Sequence, residues 1–166
     1  MSVEHETCPG CGVILPVIDA PVHAYYGSSP SCWALNGVIS ARVVSEPEPL
    51  EVHQVAVDAY AVQHPGVPER RTIQSVALHL MTLCLVFERK ADPREGSRLH
   101  ARMAHRDIYT WLDPPSPNGH VTVADVAQAE TPHELSAAVL AWGSDVWQAW
   151  GPHHDTVRRW VSQSLD

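Results

Sequence analysis

Residues 72–90, TIQSVALHLMTLCLVFERK, decide the fold. At about 100° per residue their apolar side chains fall on nearly every side, the pattern of a helix surrounded by others. Period alone fits a buried strand as well, but the length of the run argues for a helix. Upstream, LEVHQVAVDAYAVQH (residues 50–64) has helix length, an acid in its first turn and a His64-Pro65-Gly66 terminator. Before it, CWALNGVISARVV predicts a helix capped by Ser31 and closed by Pro47 and Pro49. Downstream, Pro93 opens an amphipathic stretch to about His105, and residues 108–121, with Pro114, Pro115, Pro117 and Gly119, predict a loop or short hairpin. Thr122–Ala129 reads as a short capped helix, and Thr131-Pro132-His133-Glu134 as a capping box opening a long one that ends at Gly151-Pro152. HHDTVRRWVSQSL supplies the last helix. The expected fold is mainly α, a compact helical bundle, with Trp142, Trp147 and Trp150 packed in its core.

A chain of 166 residues fits one domain, so residues 1–33 are expected to pack on a bundle of residues 34–166. Nineteen acidic against eleven basic side chains give a formal charge of −8, which repels a phosphate backbone, so no nucleic-acid partner is expected. No apolar run approaches the roughly 20 residues of a membrane span, and the N-terminus lacks a leader pattern, so a cytoplasmic protein without a membrane partner is expected.

The first thirty residues carry Pro9, Gly10, Gly12, Pro16, Pro21, Gly27 and Pro30, which precludes a long helix and calls for a staple. Cys8-Pro-Gly-Cys11-Gly12 places two thiols on a tight turn, the knuckle of many zinc sites. His23 and Cys32 are the nearest further donors, and Cys8, Cys11, His23 and Cys32 form the expected site in an irregular zinc-binding loop. The competing reading is a redox pair, but redox Cys-x-x-Cys motifs open a helix, and here Gly12–Pro16 leads into a proline-rich loop. Cys84, inside the apolar helix, reads as a packed core thiol. Three thiolates and one imidazole would fill a zinc ion's coordination, which makes Zn2+ here a folding device.

Several histidines fall on helices. His53 and His64 share a stripe with Val57 and Tyr60, while Asp58 lies about 140° from His53 and reads as a solvated charge or a helix partner. His79 sits among Val76, Ala77, Leu78, Leu80 and Leu83, where it must find a partner such as Thr82, Ser75 or a carbonyl, or else face a metal ion in the bundle. His153 and His154 follow a Gly-Pro break beside Asp155. A possible second site is therefore drawn from His53, His79, His153 and His154.

Read together, CPGCGVILP, PVHAYYGSSPSCWAL, VHQVAVDAYAVQHPG, RRTIQSVALHL, TVADV and HHDTVRRW resemble an uncharacterised bacterial family, the domain of unknown function numbered 5946. That resemblance covers nearly the whole chain and carries no known activity or catalytic residues. Around His79 and HHDTVRRWV the sequence also resembles the DinB/YfiT-like metal-binding bundles, although their His-x3-His pair is missing, with Val157 and Arg158 at the positions it would need.

Two functions follow. In the first, a structural zinc supports a binding or regulatory module for a protein or small-molecule partner, in keeping with the absence of nucleophile-elbow, P-loop and Rossmann motifs. In the second, a histidine-lined metal site in the bundle makes the protein a metal-dependent enzyme of hydrolase or thiol-transferase type.

Overall fold

A computed structural model describes residues 2–165. The chain begins with a small antiparallel hairpin, β1 (His5–Thr7) and β2 (Ile14–Pro16), paired His5 to Pro16, Glu6 to Leu15 and Thr7 to Ile14. The Cys-x-x-Cys turn is the tip of this hairpin, so the proline-rich segment is more regular than its composition suggests. Two three-residue strands carry too little periodicity to be recognised in sequence.

Eight helices follow among the described residues: α1 (Pro30–Ser45), α2 (Pro47–Leu50), α3 (His53–Gln63), α4 (Arg70–Phe87), α5 (Gly96–Met103), α6 (Val123–Val126), α7 (Pro132–Ala149) and α8 (His154–Leu165). The fold is therefore a mainly α, compact bundle, and residues 108–121 form no helix or strand. Among the described residues, no helix is long and apolar enough to cross a membrane.

Local chemistry sets the boundaries. The cap of α1 is Ser29 rather than Ser31: its Oγ accepts from Cys32 N at 3.3 Å, and Pro30 takes the first helical position, where a missing N–H costs nothing. Pro47 likewise opens the short α2, so the prolines expected only to close α1 also start its successor, and the helix expected over 50–64 begins at His53. Glu69 and Thr72 cap α4 reciprocally, and Thr131 with Glu134 form the capping box expected for α7.

Helix α4 is the axis. Twelve of its eighteen residues are buried, and α3, α5, α7 and α8 pack around it. Trp142, Trp147 and Trp150 are buried in the core as expected, and so is Cys84, whose thiol burial and then Glu88 push up to about 11. Trp142 Nε1 donates to Gln63 Oε1 at 3.0 Å, while Gln63 Nε2 donates to the carbonyls of Asn118 and Val121, each at 2.9 Å. Asn118 returns a bond from Nδ2 to Val62 O at 2.8 Å. These bonds fix the proline loop over the end of α3, beside the hairpin tip.

Candidate metal centre

Four donors converge from three elements. Cys8 and Cys11 lie on the hairpin tip, Cys32 in the first turn of α1, and His64 at the C-terminal cap of α3. Their ligand atoms all lie within 4.8 Å of one another, close enough to hold a metal ion. Cys11 Sγ is 3.8 Å from Cys32 Sγ, and Cys32 Sγ is 3.4 Å from His64 Nε2. All three cysteines are free thiols.

Each donor is aimed by its surroundings. The tip is closed by Cys8 N donating to Val13 O at 2.8 Å and Gly12 N donating to Cys8 O at 2.9 Å, with Gly12 at φ +77°, a backbone state that side-chain-bearing residues rarely adopt. Gly10 lies against the imidazole: a Cβ there would sit 2.4 Å from His64 Cδ2 and 2.7 Å from Gly27 O. Cys32 stands where the α1 dipole favours a thiolate, and Tyr60 Oη donates to its sulfur at 3.6 Å. His64 Nδ1–H donates to Tyr60 O at 2.8 Å, which fixes the tautomer and leaves the Nε2 lone pair facing Cys32. Gly27 N donates to His64 O at 3.1 Å and ties the loop before α1 to the same turn.

The thiols perturb one another. Hydrogen bonds from Cys11 and then Cys32 hold the Cys8 thiol far below its ordinary range. Hydrogen bonding to Cys11 and Cys8, followed by burial, pushes Cys32 far above it. For Cys11, the bond with Cys32 pulls down but is outweighed by Cys8 and burial, which raise it to about 12. Such a cluster ionises once readily and thereafter at great cost, unless a cation offsets the charge.

The spacing predicts His23 as the fourth donor; the structure places His64 there instead. His23 Nδ1 accepts from the backbone N–H groups of Tyr25 and Tyr26, both at 3.3 Å, and its ring stacks on Tyr26 at 3.9 Å. It belongs to an aromatic group with Tyr25, Tyr26 and Trp33, and burial, then Arg71, lowers its pKa. The sequence signal for His64 is its position just after the last turn of α3, before Pro65-Gly66, but nothing in the linear order ties that turn to the knuckle.

The expected grouping of His53, His79, His153 and His154 also differs from what is gathered. His153 Nε2 donates to Asp113 O at 2.7 Å, and His154 Nε2 donates to Trp147 O at 2.8 Å while stacking on that indole at 3.8 Å. His53 lies in the first turn of α3 and outside both donor clusters. His79 instead meets Asp58 of α3 and His100 of α5. Asp58, expected as a solvated charge or helix partner, is fully buried and shares a 2.7 Å hydrogen bond from Oδ1 with His79 Nδ1. Burial raises the Asp58 pKa against the opposing bond from His79, and burial followed by His79 pushes His100 down to about 4.

Fold and donors together define a small helical domain with a three-cysteine, one-histidine cluster that joins a hairpin to a bundle. Residues 6–151 match the family described as "Family of unknown function (DUF5946)", and the chain belongs to that family. The matched span contains all four donors and the Asp58, His79 and His100 group. No curated protein and no solved structure matches the chain.

Proposed function

We propose that this protein is a zinc-clamped helical domain that acts as a binding or regulatory module, the ion being held by Cys8, Cys11, Cys32 and His64. The observation that carries this reading is the size of the donor cluster. Tetrahedral zinc with Zn–S bonds of about 2.3 Å and a Zn–N bond of about 2.0 Å has sulfur–sulfur edges of about 3.8 Å and sulfur–nitrogen edges of about 3.5 Å. The 3.8 Å and 3.4 Å separations match those edges. A disulfide would need sulfurs about 2.05 Å apart.

Four protein donors leave no position for a substrate or an activated water, so the ion's work is structural. It holds the hairpin against the ends of α1 and α3 and shapes an open groove of about 800 Å³ beside the knuckle, lined in part by Pro9, Gly27, Pro65, Pro115 and Pro117. This groove is the surface proposed to receive a protein or small-molecule partner. With the chain's net negative charge it does not suit nucleic acid.

Elemental analysis of tag-free protein tests the metal directly. The expected result is one zinc per chain, whose removal by a strong chelator lowers the melting temperature. Metal-free protein with unchanged stability, or an isolated Cys8–Cys11 disulfide, would overturn the reading and return the pair to redox chemistry.

A further inference from the structure

Asp58, His79 and His100 come from three different helices, α3, α4 and α5, and their ligand atoms lie within 4.8 Å of one another. Asp58 is fully buried, yet among the described residues its Oδ2 has no hydrogen-bond partner. His100 Nδ1 is also buried and unpartnered, and its ring centroid is 4.8 Å from that of His79. A buried carboxylate oxygen left without a donor is expensive, and so is a buried imidazole nitrogen left without a partner. Finding both within one three-residue donor cluster marks a place where one more atom belongs.

The carboxylate is also held in position. Gln54 Nε2 donates to Asp58 Oδ1 at 2.7 Å, and Ser97 Oγ donates to Gln54 Oε1 at 2.8 Å. Helix α5 approaches closely enough for this because its first residue is Gly96, where a Cβ would sit 2.6 Å from Gln54 Cγ. The chain Ser97–Gln54–Asp58 is the kind of support that orients a ligating carboxylate.

We propose that Asp58, His79 and His100 form a second metal site, which takes a first-row divalent cation through one carboxylate oxygen and two imidazole nitrogens. Oxygen and nitrogen donors distinguish it from the thiolate cluster, and three protein ligands leave coordination positions open to solvent or a small ligand. Its ion therefore exchanges more readily than the one at the cysteines.

The test uses Co2+ as the probe on full-length, zinc-replete protein, with zinc content and visible absorption followed together. The expected result is one further equivalent of cobalt with weak d–d bands, no thiolate-to-cobalt charge-transfer band and no loss of zinc. His100→Ala, at a half-buried position and checked for folding, removes this equivalent, and His153→Ala leaves it in place. Gln54→Ala retains the site but weakens it about 10- to 100-fold, the usual effect of losing a group that orients a ligand. No additional cobalt on folded protein, cobalt that binds only by displacing zinc with thiolate bands, or an undiminished second equivalent in His100→Ala would each overturn the proposal. Failure of the zinc assignment would appear separately, in the zinc content.

Discussion

The hairpin and the central helix are held by different physics. Between Ser2 and Gly27 only Cys8 is buried, whereas α4 buries twelve of its eighteen residues. Helix α4 is fixed by apolar surface removed from water, roughly 25 cal/mol for each Å², spread over many neighbours. The hairpin offers only partly buried apolar side chains such as Val13 and Leu15, and its proposed attachment concentrates on four donor atoms. A region without a core can be stable when one strong local interaction replaces many weak ones.

On the proposed zinc clamp, removing the ion breaks this comparison most severely. Structural zinc contributes on the order of 10 kcal/mol of apparent binding free energy in small metal-folded peptides. After chelation, amides of residues 4–17 are expected to lose hydrogen-exchange protection while those of α4 keep theirs, with the helical circular dichroism largely retained. Protection that persisted in the hairpin of metal-free protein would show that something other than the ion holds it.

Trp142→Ala attacks the other side. This fully buried indole packs in the core and anchors Gln63, so the expected loss is about 3–5 kcal/mol in denaturant unfolding, with zinc content unchanged in the folded fraction. A loss below about 1 kcal/mol would mean that the core is less dependent on apolar packing than the comparison requires.

Gly10→Ala probes the seam between the two regions. The added methyl meets His64 Cδ2 and two backbone carbonyls, so the knuckle must shift, at a cost of about 1–3 kcal/mol, and zinc should leave faster on challenge with a chelator. Zinc release at the native rate would place the seam elsewhere.

The smallest effect is expected on the surface, at the C-terminal cap of α4. Arg158 forks onto Glu88 with two 2.8 Å bonds and holds its carboxyl below the ordinary value of 4.5. A carboxyl with a depressed folded pKa adds stability above its unfolded pKa and loses it as pH falls through the folded value. Arg158→Ala should therefore lower the melting temperature slightly near neutral pH, and the difference should vanish in strong acid or high salt. A larger penalty at acidic than at neutral pH would contradict this sign.

Much of the bundle was legible because it rests on local signals. The apolar run of α4, the Thr131–Glu134 box and the Gly151-Pro152 break each announce themselves within a few residues. The knuckle was legible for the same reason, since Cys8 and Cys11 share one turn. His64 was not, because its approach to Cys32 depends on how α3 packs against α1, and His23 was nearer in sequence. Asp58 was obscured for a related reason: a lone acid on a helix reads as solvated until α4 brings His79 against it. Helix α3 carries a donor of each cluster, six residues apart and about 120° around the helix, an arrangement that only tertiary packing makes meaningful.

The most direct test of the zinc clamp compares zinc per chain in His64→Ala and His23→Ala, each purified without a tag and checked for folding. One zinc should remain in His23→Ala, while His64→Ala should lose it or surrender it to a chelator that leaves the native protein loaded. Zinc kept by His64→Ala and lost from His23→Ala would contradict the geometry of the cluster and give the fourth position to the aromatic loop.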